Sequence, residues 1–192
     1  MSVGEEKLRK PRADSLRNRE LLLETAKAAF TAVGADVPLE EVARRAGVGI
    51  GTLYRHFPTR DALLAAVYQR EVEQLSGSAE TLLAGRPPGE ALEAWLHLLV
   101  DYMATKRVIA PALLASPGDG PKLYASSGAA IVEAMNRLAR AAIAGGDIRA
   151  DIGPDDLFRI MMGVSHGYDQ PEWEPSARRL ISVVMAGLKP PR

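Results

Sequence analysis

Apolar residues recur at intervals of three and four positions along most of the chain, a spacing typical of helices that bury one face. The first stripe lies in a helix expected from about Asp14 to Gly34, and its members are Leu22, Ala26, Ala29, Phe30 and Val33. This first stripe is followed by two short segments, a connector helix after Pro58 and several longer stripes. The pattern predicts an all-α protein of about nine helices, with no convincing strand.

Glycine and proline punctuate the second half of the chain. The sequence GRPPG at residues 85–89 is expected to be non-helical and to end the connector region. A strongly apolar helix should follow, whereas residues 108–121 contain several breakers and are expected to form a short helix and a turn. Gly153 and Pro154 should open a later helix, and the last helix is expected from near Pro175.

Residues 39–57 have the pattern of two short helices joined by a glycine turn. The apolar stripe of the first helix is Leu39, Val42, Ala43 and Ala46. Gly47 is suited to the left-handed conformation that ends a helix. In the second helix Leu53 and Phe57 point inward, and the outward side chains are Thr52, Tyr54, Arg55 and His56. Because these outward groups can donate to phosphate oxygens or base edges, the pattern predicts a helix-turn-helix whose second helix enters the major groove.

The run GTLYRHFPTRDALL, within residues 39–68, closely resembles the signature of the tetracycline-repressor (TetR) family of bacterial transcriptional regulators. The resemblance covers roughly the first third of the chain. It implies an N-terminal three-helix DNA-binding domain with a helix-turn-helix, followed by a C-terminal helical regulatory and dimerisation domain. We accordingly expect a disordered basic arm at residues 1–13, a DNA-binding domain at 14–60 and a ligand-binding and dimerisation domain at 61–192.

The predicted DNA contacts surround the second short helix. They are Arg44, Gly49, Gly51, Thr52, Tyr54, Arg55, His56 and Arg60. Tyr54, His56 and Arg60 are expected on phosphate, and His56 is similar to the family position that contacts phosphate. The sequence departs from the family pattern at Gly49, where a capping serine is common, and at Ile50, where a basic residue is common. Arg60 stands where the family usually has lysine, and it keeps the positive charge. Together these departures place the contact set at the turn in doubt, but not the DNA-binding assignment.

The charged residues balance over the whole chain but leave one segment locally positive. The chain has 24 basic and 24 acidic residues, so attraction to nucleic acid must be local. Residues 7–19 supply it, with six basic residues against Asp14. The absence of cysteine fits a reducing cytoplasm, and the sequence shows neither a signal peptide nor a membrane span. We therefore expect a cytoplasmic protein with no membrane partner.

The helices after residue 89 combine methionine and aromatic residues with polar groups. The candidate ligand-binding residues are Trp95, Leu99, Tyr102, Met103, Met135, Phe158, Met162 and His166. Such residues can line an apolar pocket, but packing in the core explains them equally well. No nucleophile and base occur in a catalytic arrangement, and His97 with Asp101 gives only two metal ligands, so no enzyme activity, metal or cofactor is expected.

The last two helices supply the predicted dimer interface. Its residues are Leu157, Ile160, Met161, Val164, Ala177, Leu180, Ile181, Val184 and Leu188. These apolar faces pack either inside their own domain or across a two-fold axis in a four-helix interface. We predict a homodimer that binds a palindromic double-stranded operator and is released by a small apolar or amphipathic effector. The alternatives are an activator of the same architecture, or a helical small-molecule-binding protein or enzyme with an incidental helix-turn-helix.

Overall fold

The computed structural model describes residues 4–167, 170 and 172–190, with side chains from residue 14 onward. Within these ranges all regular structure is α-helical, which confirms the predicted fold class. The helices are α1 (Gly4–Val33), α2 (Leu39–Arg45), α3 (Ile50–His56), α4 (Arg60–Gly85), α5 (Pro88–Ala115), α6 (Gly120–Ala144), α7 (Pro154–Val164) and α8 (Trp173–Gly187).

The described ranges contain eight helices where the sequence predicts about nine. The separate short helix expected after Val108 does not form, because α5 continues to Ala115 with Pro111 inside it. Burial of Ile109 and Leu113 favours the continued helix and outweighs the hydrogen bond that Pro111 cannot donate.

Several helix ends also differ from the prediction. Pro88 opens α5, so the break between α4 and α5 is shorter than the GRPPG sequence suggests. The last helix begins at Trp173, slightly before Pro175. The backbone of α1 is helical from Gly4, whereas the sequence places the helix start near Asp14. Of the predicted arm, residues 1–3 and the side chains of residues 4–13 lie outside the described part of the chain.

The chain divides by packing into two compact units. Unit 1 comprises Met1–Arg70 and Val108–Pro121, and unit 2 comprises Glu71–Arg107 and Lys122–Arg192. Unit 1 therefore contains a segment far along the chain, whereas the sequence places a single boundary after residue 60.

In unit 1, the helices α1, α2 and α3 pack on one another. Their shared core includes the fully buried side chains Leu22, Ala26, Phe30, Val42 and Leu53. The later segment of this unit is tied to the start of α4, because the Ser116 hydroxyl donates to Asp61 Oδ2 at 2.7 Å. Gly120 is buried, and a Cβ there would lie 2.4 Å from the Leu113 carbonyl oxygen, so this close approach requires glycine.

Unit 2 is held by buried apolar residues and by indole hydrogen bonds. Trp95 is fully buried, and its Nε1 donates to the Leu75 carbonyl at 2.8 Å. Trp173 Nε1 donates to the Val164 carbonyl at 2.8 Å, linking the start of α8 to the end of α7. Arg178 pairs with Asp101, which fastens α8 to α5. Because each indole N–H has a partner, both large rings are buried without leaving a donor unsatisfied.

Candidate functional site

The turn between α2 and α3 has the predicted conformation. Gly47 has φ +67°, in the left-handed region, and Val48 N–H donates back to the Ala43 carbonyl at 3.1 Å. Gly49 precedes α3 without a side-chain cap, as expected for a residue that has no side-chain oxygen. Its carbonyl still accepts the Thr52 N–H at 2.9 Å, so α3 begins directly after the turn.

One face of α3 is buried and the other is open to solvent. Leu53 is fully buried, whereas Tyr54 is 43% exposed and Arg55 is exposed. Thr52 and His56 are half-buried at the edge of the same helix. After α3, the Thr59 hydroxyl accepts the Ala62 N–H at 3.0 Å and caps α4, as the sequence predicts. The structure thus presents phenol, guanidinium, hydroxyl and imidazole groups on one short, firmly anchored helix.

The basic end of α2 is already paired within the protein. The Arg44 guanidinium donates from Nε and Nη2 to the two oxygens of Glu41, each at 2.7 Å. Arg45 Nε donates to Glu41 Oε1 at 2.7 Å. Hydrogen bonds from Arg44 and then Arg45 lower the pKa of Glu41 to about 2. One carboxylate therefore offsets part of the positive charge beside the turn, and Arg44 can contact DNA only while sharing or leaving this pair.

Arg60 has a different environment from the other predicted DNA contacts. Its Nη1 donates to the carbonyls of Ala35 and Val37, both at 2.8 Å. The guanidinium therefore fastens the loop between α1 and α2 to the start of α4. Nη1 is thus already hydrogen-bonded within unit 1. Arg60 therefore has a structural role in addition to its predicted phosphate contact.

A cavity of about 770 Å³ lies within unit 2. The predicted ligand residues that line it are Leu99, Tyr102, Met103, Met135, Phe158, Met162 and His166. Other lining residues were not predicted from the sequence to bind ligand, and they include Lys106, Tyr124, Ser127, Ile131, Val132, Met161 and Ser165. The four-residue spacing of Tyr102 and Lys106 places both on one face of α5, a signal that could have identified the lysine. The cavity combines apolar walls with a few polar groups, which suits a small organic ligand.

Trp95 is the candidate ligand residue that the structure places elsewhere. It is absent from the cavity lining and lies in the core of unit 2, with its indole N–H bonded to Leu75. The sequence could not separate these roles, because both the core stripe and the cavity wall of α5 are apolar.

Most of the predicted dimer residues are buried within unit 2. The buried ones are Leu157, Met161, Val164, Ala177, Ile181 and Leu188. Their side chains pack inside the protomer, so the structure contradicts their prediction as contacts with a partner chain. Leu180 is 45% exposed, and Ile160 and Val184 are half-buried. Val183, which the prediction omits, is 67% exposed on the same side of α8 as Leu180.

The described residues contain no helix long and apolar enough to cross a membrane. Among the same residues, His, Asp and Glu side chains form no group of three or more that could hold a metal ion.

A two-helix motif with an exposed, donor-rich second helix, joined to a helical unit with a cavity, defines a helix-turn-helix transcriptional regulator. Comparison with family models agrees. Residues 22–67 match the bacterial regulatory proteins of the tetR family, and residues 87–190 match the SbtR-like transcriptional regulator C-terminal domain. The chain belongs to the TetR family.

Solved structures extend the similarity over nearly the whole chain. A TetR transcriptional regulator from Streptomyces coelicolor is 42% identical, with a TM-score of 0.80 over 91% of this chain and 99% of that one. A TetR regulatory protein from Mycobacterium vanbaalenii is 35% identical, with a TM-score of 0.77 over 93% of this chain and 99% of that one.

A curated relative resembles a smaller part. An HTH-type transcriptional regulator from Staphylococcus aureus is 34% identical over 105 residues, which is 53% of this chain and 54% of that protein. The match thus spans about half the length of the curated relative.

Proposed function

We propose that this regulator is a repressor that binds a palindromic operator as a homodimer and is released from it by a small apolar or amphipathic ligand. The observation that supports this proposal is the cavity of about 770 Å³, whose walls carry methionine and aromatic side chains. Its size falls in the range of pockets that bind small organic ligands.

The exposed face of α3 supports the DNA contacts. Tyr54 and Arg55 are exposed on a helix whose opposite side is anchored by the buried Leu53. We assign Arg55 and Thr52 to base edges, and Tyr54 and His56 to phosphate. Arg60 contributes mainly by holding the loop before α2, through its hydrogen bonds to Ala35 and Val37.

Release requires a ligand to bind one arrangement of the helices more tightly than another. The cavity is built from α5, α6 and α7, and α5 continues into the segment of unit 1 that begins at Val108. A ligand that stabilises one arrangement of these helices therefore biases the arrangement of a helix shared with the DNA-binding unit.

The proposal is tested by mapping the DNA sites that the purified protein protects in its native genome, followed by mobility-shift titration on one site at several salt concentrations. Binding should be selective for an inverted repeat and should weaken as salt rises. A matched fragment with one half-site scrambled provides the control. Equal affinity for the intact and scrambled fragments would favour the rival class, a small-molecule-binding protein or enzyme whose helix-turn-helix is incidental.

The regulatory sign is measured separately, with a reporter gene placed behind the protected site. A repressor lowers the reporter signal when it is expressed, and its deletion raises the signal. An increase in reporter signal on expression would instead identify an activator of the same architecture.

A further inference from the structure

Among the described residues that line the cavity in unit 2, Lys106 supplies the one ammonium group. Its Nζ lies 4.7 Å from the centroid of the Tyr124 ring and 5.9 Å from that of the Tyr102 ring. Both distances are within the range of cation–π attraction. Tyr102 is on α5, as is Lys106, whereas Tyr124 is on α6, so rings from two helices hold the ammonium in the lining.

The positive charge has no carboxylate to balance it in the described part of the cavity. None of the described lining residues is Asp or Glu, and Lys106 forms no ion pair with any described side chain. In the same unit, Arg137 pairs with Glu80 at 2.5 Å and Arg149 pairs with Asp151 at 2.6 Å. Lys106 thus differs from these arginines in having only aromatic faces for compensation.

The rest of the wall favours a hydrocarbon body. It includes the thioether side chains of Met103, Met135, Met161 and Met162, together with Phe158. Thioethers adapt to irregular apolar shapes, and an apolar wall raises the strength of any charge interaction formed against it. A cationic ligand would be repelled by Lys106, and a neutral one would leave the ammonium without a counter-charge.

We propose that the effector of this regulator is an amphipathic carboxylate, whose anionic head pairs with Lys106 and whose hydrocarbon body packs on the methionine-lined wall. This inference rests on the proposed function, because it names the chemical class that the cavity takes. Ser165 and His166, also in the lining, supply further polar groups for the head.

The test uses three probes with the same ten-carbon chain: decanoate, 1-decanol and decyltrimethylammonium. Each is titrated into the full-length protein by calorimetry at neutral pH, with decanoate and decyltrimethylammonium below their critical micelle concentrations and 1-decanol below its solubility limit. Decanoate is expected to bind most tightly and the ammonium compound most weakly. Lys106→Met keeps an unbranched side chain but removes the charge, and it should weaken decanoate binding by about tenfold or more while changing decanol binding by less than about threefold.

Two variants serve as matched controls. Lys106→Arg retains the charge and should restore most of the preference for decanoate over decanol. Lys189→Met removes an exposed lysine outside the cavity lining and should leave all three affinities unchanged. Circular dichroism verifies that each variant is folded, and Lys106→Gln replaces Lys106→Met if the latter does not fold.

Failure of this inference is distinguishable from failure of the proposed function. Equal binding of decanoate and decanol, tighter binding of the ammonium compound, or absence of decanoate binding up to millimolar concentration would overturn the carboxylate class. DNA binding is measured on the ligand-free protein and is independent of these titrations. Decanoate that binds through Lys106 but leaves the operator complex intact would support the ligand class and contradict release.

Discussion

Glu41 holds two guanidinium groups beside α3, the helix that we propose contacts DNA. Its carboxylate accepts both hydrogen bonds of Arg44 and one from Arg45, while Arg44 is 72% exposed in its side chain. Phosphate oxygens prefer the same guanidinium geometry. The carboxylate therefore orients the arginines, and in the proposed DNA complex it competes with the phosphate backbone for them.

Replacing Glu41 with Gln should strengthen binding to all DNA sequences alike and steepen its salt dependence, because Arg44 and Arg45 lose their carboxylate partner. Mobility-shift titrations across a salt series measure both effects. The control is Glu40→Gln, which removes an exposed neighbouring carboxylate of α2. An unchanged salt slope in Glu41→Gln would show that neither arginine approaches phosphate.

The same substitution has a defined pH dependence. The pKa of Glu41 falls from 4.5 to about 2 in the folded protein, so the carboxylate contributes stability that is fully present above the unfolded-state pKa. That contribution is lost as the pH falls through about 2. The unfolding free energies of wild type and Glu41→Gln should therefore differ by a constant amount near neutral pH and converge in strong acid. Chemical denaturation at several pH values tests this, and a difference that increases on acidification would contradict it.

Substitutions of Arg60 distinguish two roles for this residue: stabilising the fold or contacting DNA phosphate. Arg60→Met removes two charge-assisted hydrogen bonds to carbonyl oxygens and should lower the free energy of unfolding by about 2 kcal/mol. Arg60→Lys keeps the charge but not the planar guanidinium, so it should recover only part of that stability. Urea denaturation of the ligand-free protein provides the measurement. Wild-type stability in Arg60→Met, combined with weaker DNA binding, would assign the residue to phosphate instead.

Helix α8 has two apolar stripes, one buried and the other partly exposed. Ala177, Ile181 and Met185 are buried inside unit 2. Leu180, Val183 and Val184 form a second stripe, in which Val183 is 67% exposed. A surface of this kind is a candidate for contact with another chain. We propose that the predicted homodimer forms through this second stripe.

Val183→Glu should separate the dimer without unfolding the protomer, because the side chain is already largely exposed. Ser182→Glu is the matched control, since Ser182 is exposed on α8 outside that stripe. Sedimentation equilibrium should give a mass near 20.6 kDa for Val183→Glu and twice that for the control. A dimer that persists in Val183→Glu, or a wild-type monomer, would place the interface elsewhere or remove it.

Sequence periodicity predicted the helices well but not which of their faces is inward. The turn at Gly47 and the cap at Thr59 were predictable because each depends on a local backbone preference. Trp95 and Ile181 were misplaced because an apolar side chain has the same pattern whether it faces a core, a cavity or a partner. Pro111 led to the wrong prediction of a break in α5 for a different reason. The helix hydrogen bond that proline cannot donate is a real local cost, but the burial of neighbouring Ile109 and Leu113 outweighs it.

Unit 1, which contains the helix-turn-helix, is discontinuous in sequence. Residues 108–121 belong to unit 1 although most of α5 belongs to unit 2. Ile109 and Leu113 are fully buried, and the Ser116 hydroxyl bonds to Asp61 at the start of α4. No local signal in the sequence shows this association, because it joins residues more than fifty positions apart.

Ser116→Ala should lower the free energy of unfolding by about 1 kcal/mol, since Asp61 loses a hydrogen bond from a partly buried hydroxyl. Hydrogen exchange should show faster amide exchange in the first turn of α4. Ser126→Ala is the control, because its hydroxyl bonds only within α6. Equal exchange in wild type and Ser116→Ala would mean that this contact does not stabilise α4.

The discontinuous unit also constrains how this regulator can be recombined with others. A chimera that joins residues 1–70 to the effector unit of another regulator receives its counterpart of residues 108–121 from the donor. That foreign segment must supply the equivalents of Ile109, Leu113 and Ser116, and a glycine where Gly120 lies against the Leu113 carbonyl. Functional chimeras are therefore expected when residues 108–121 are transferred together with residues 1–70 of the same regulator.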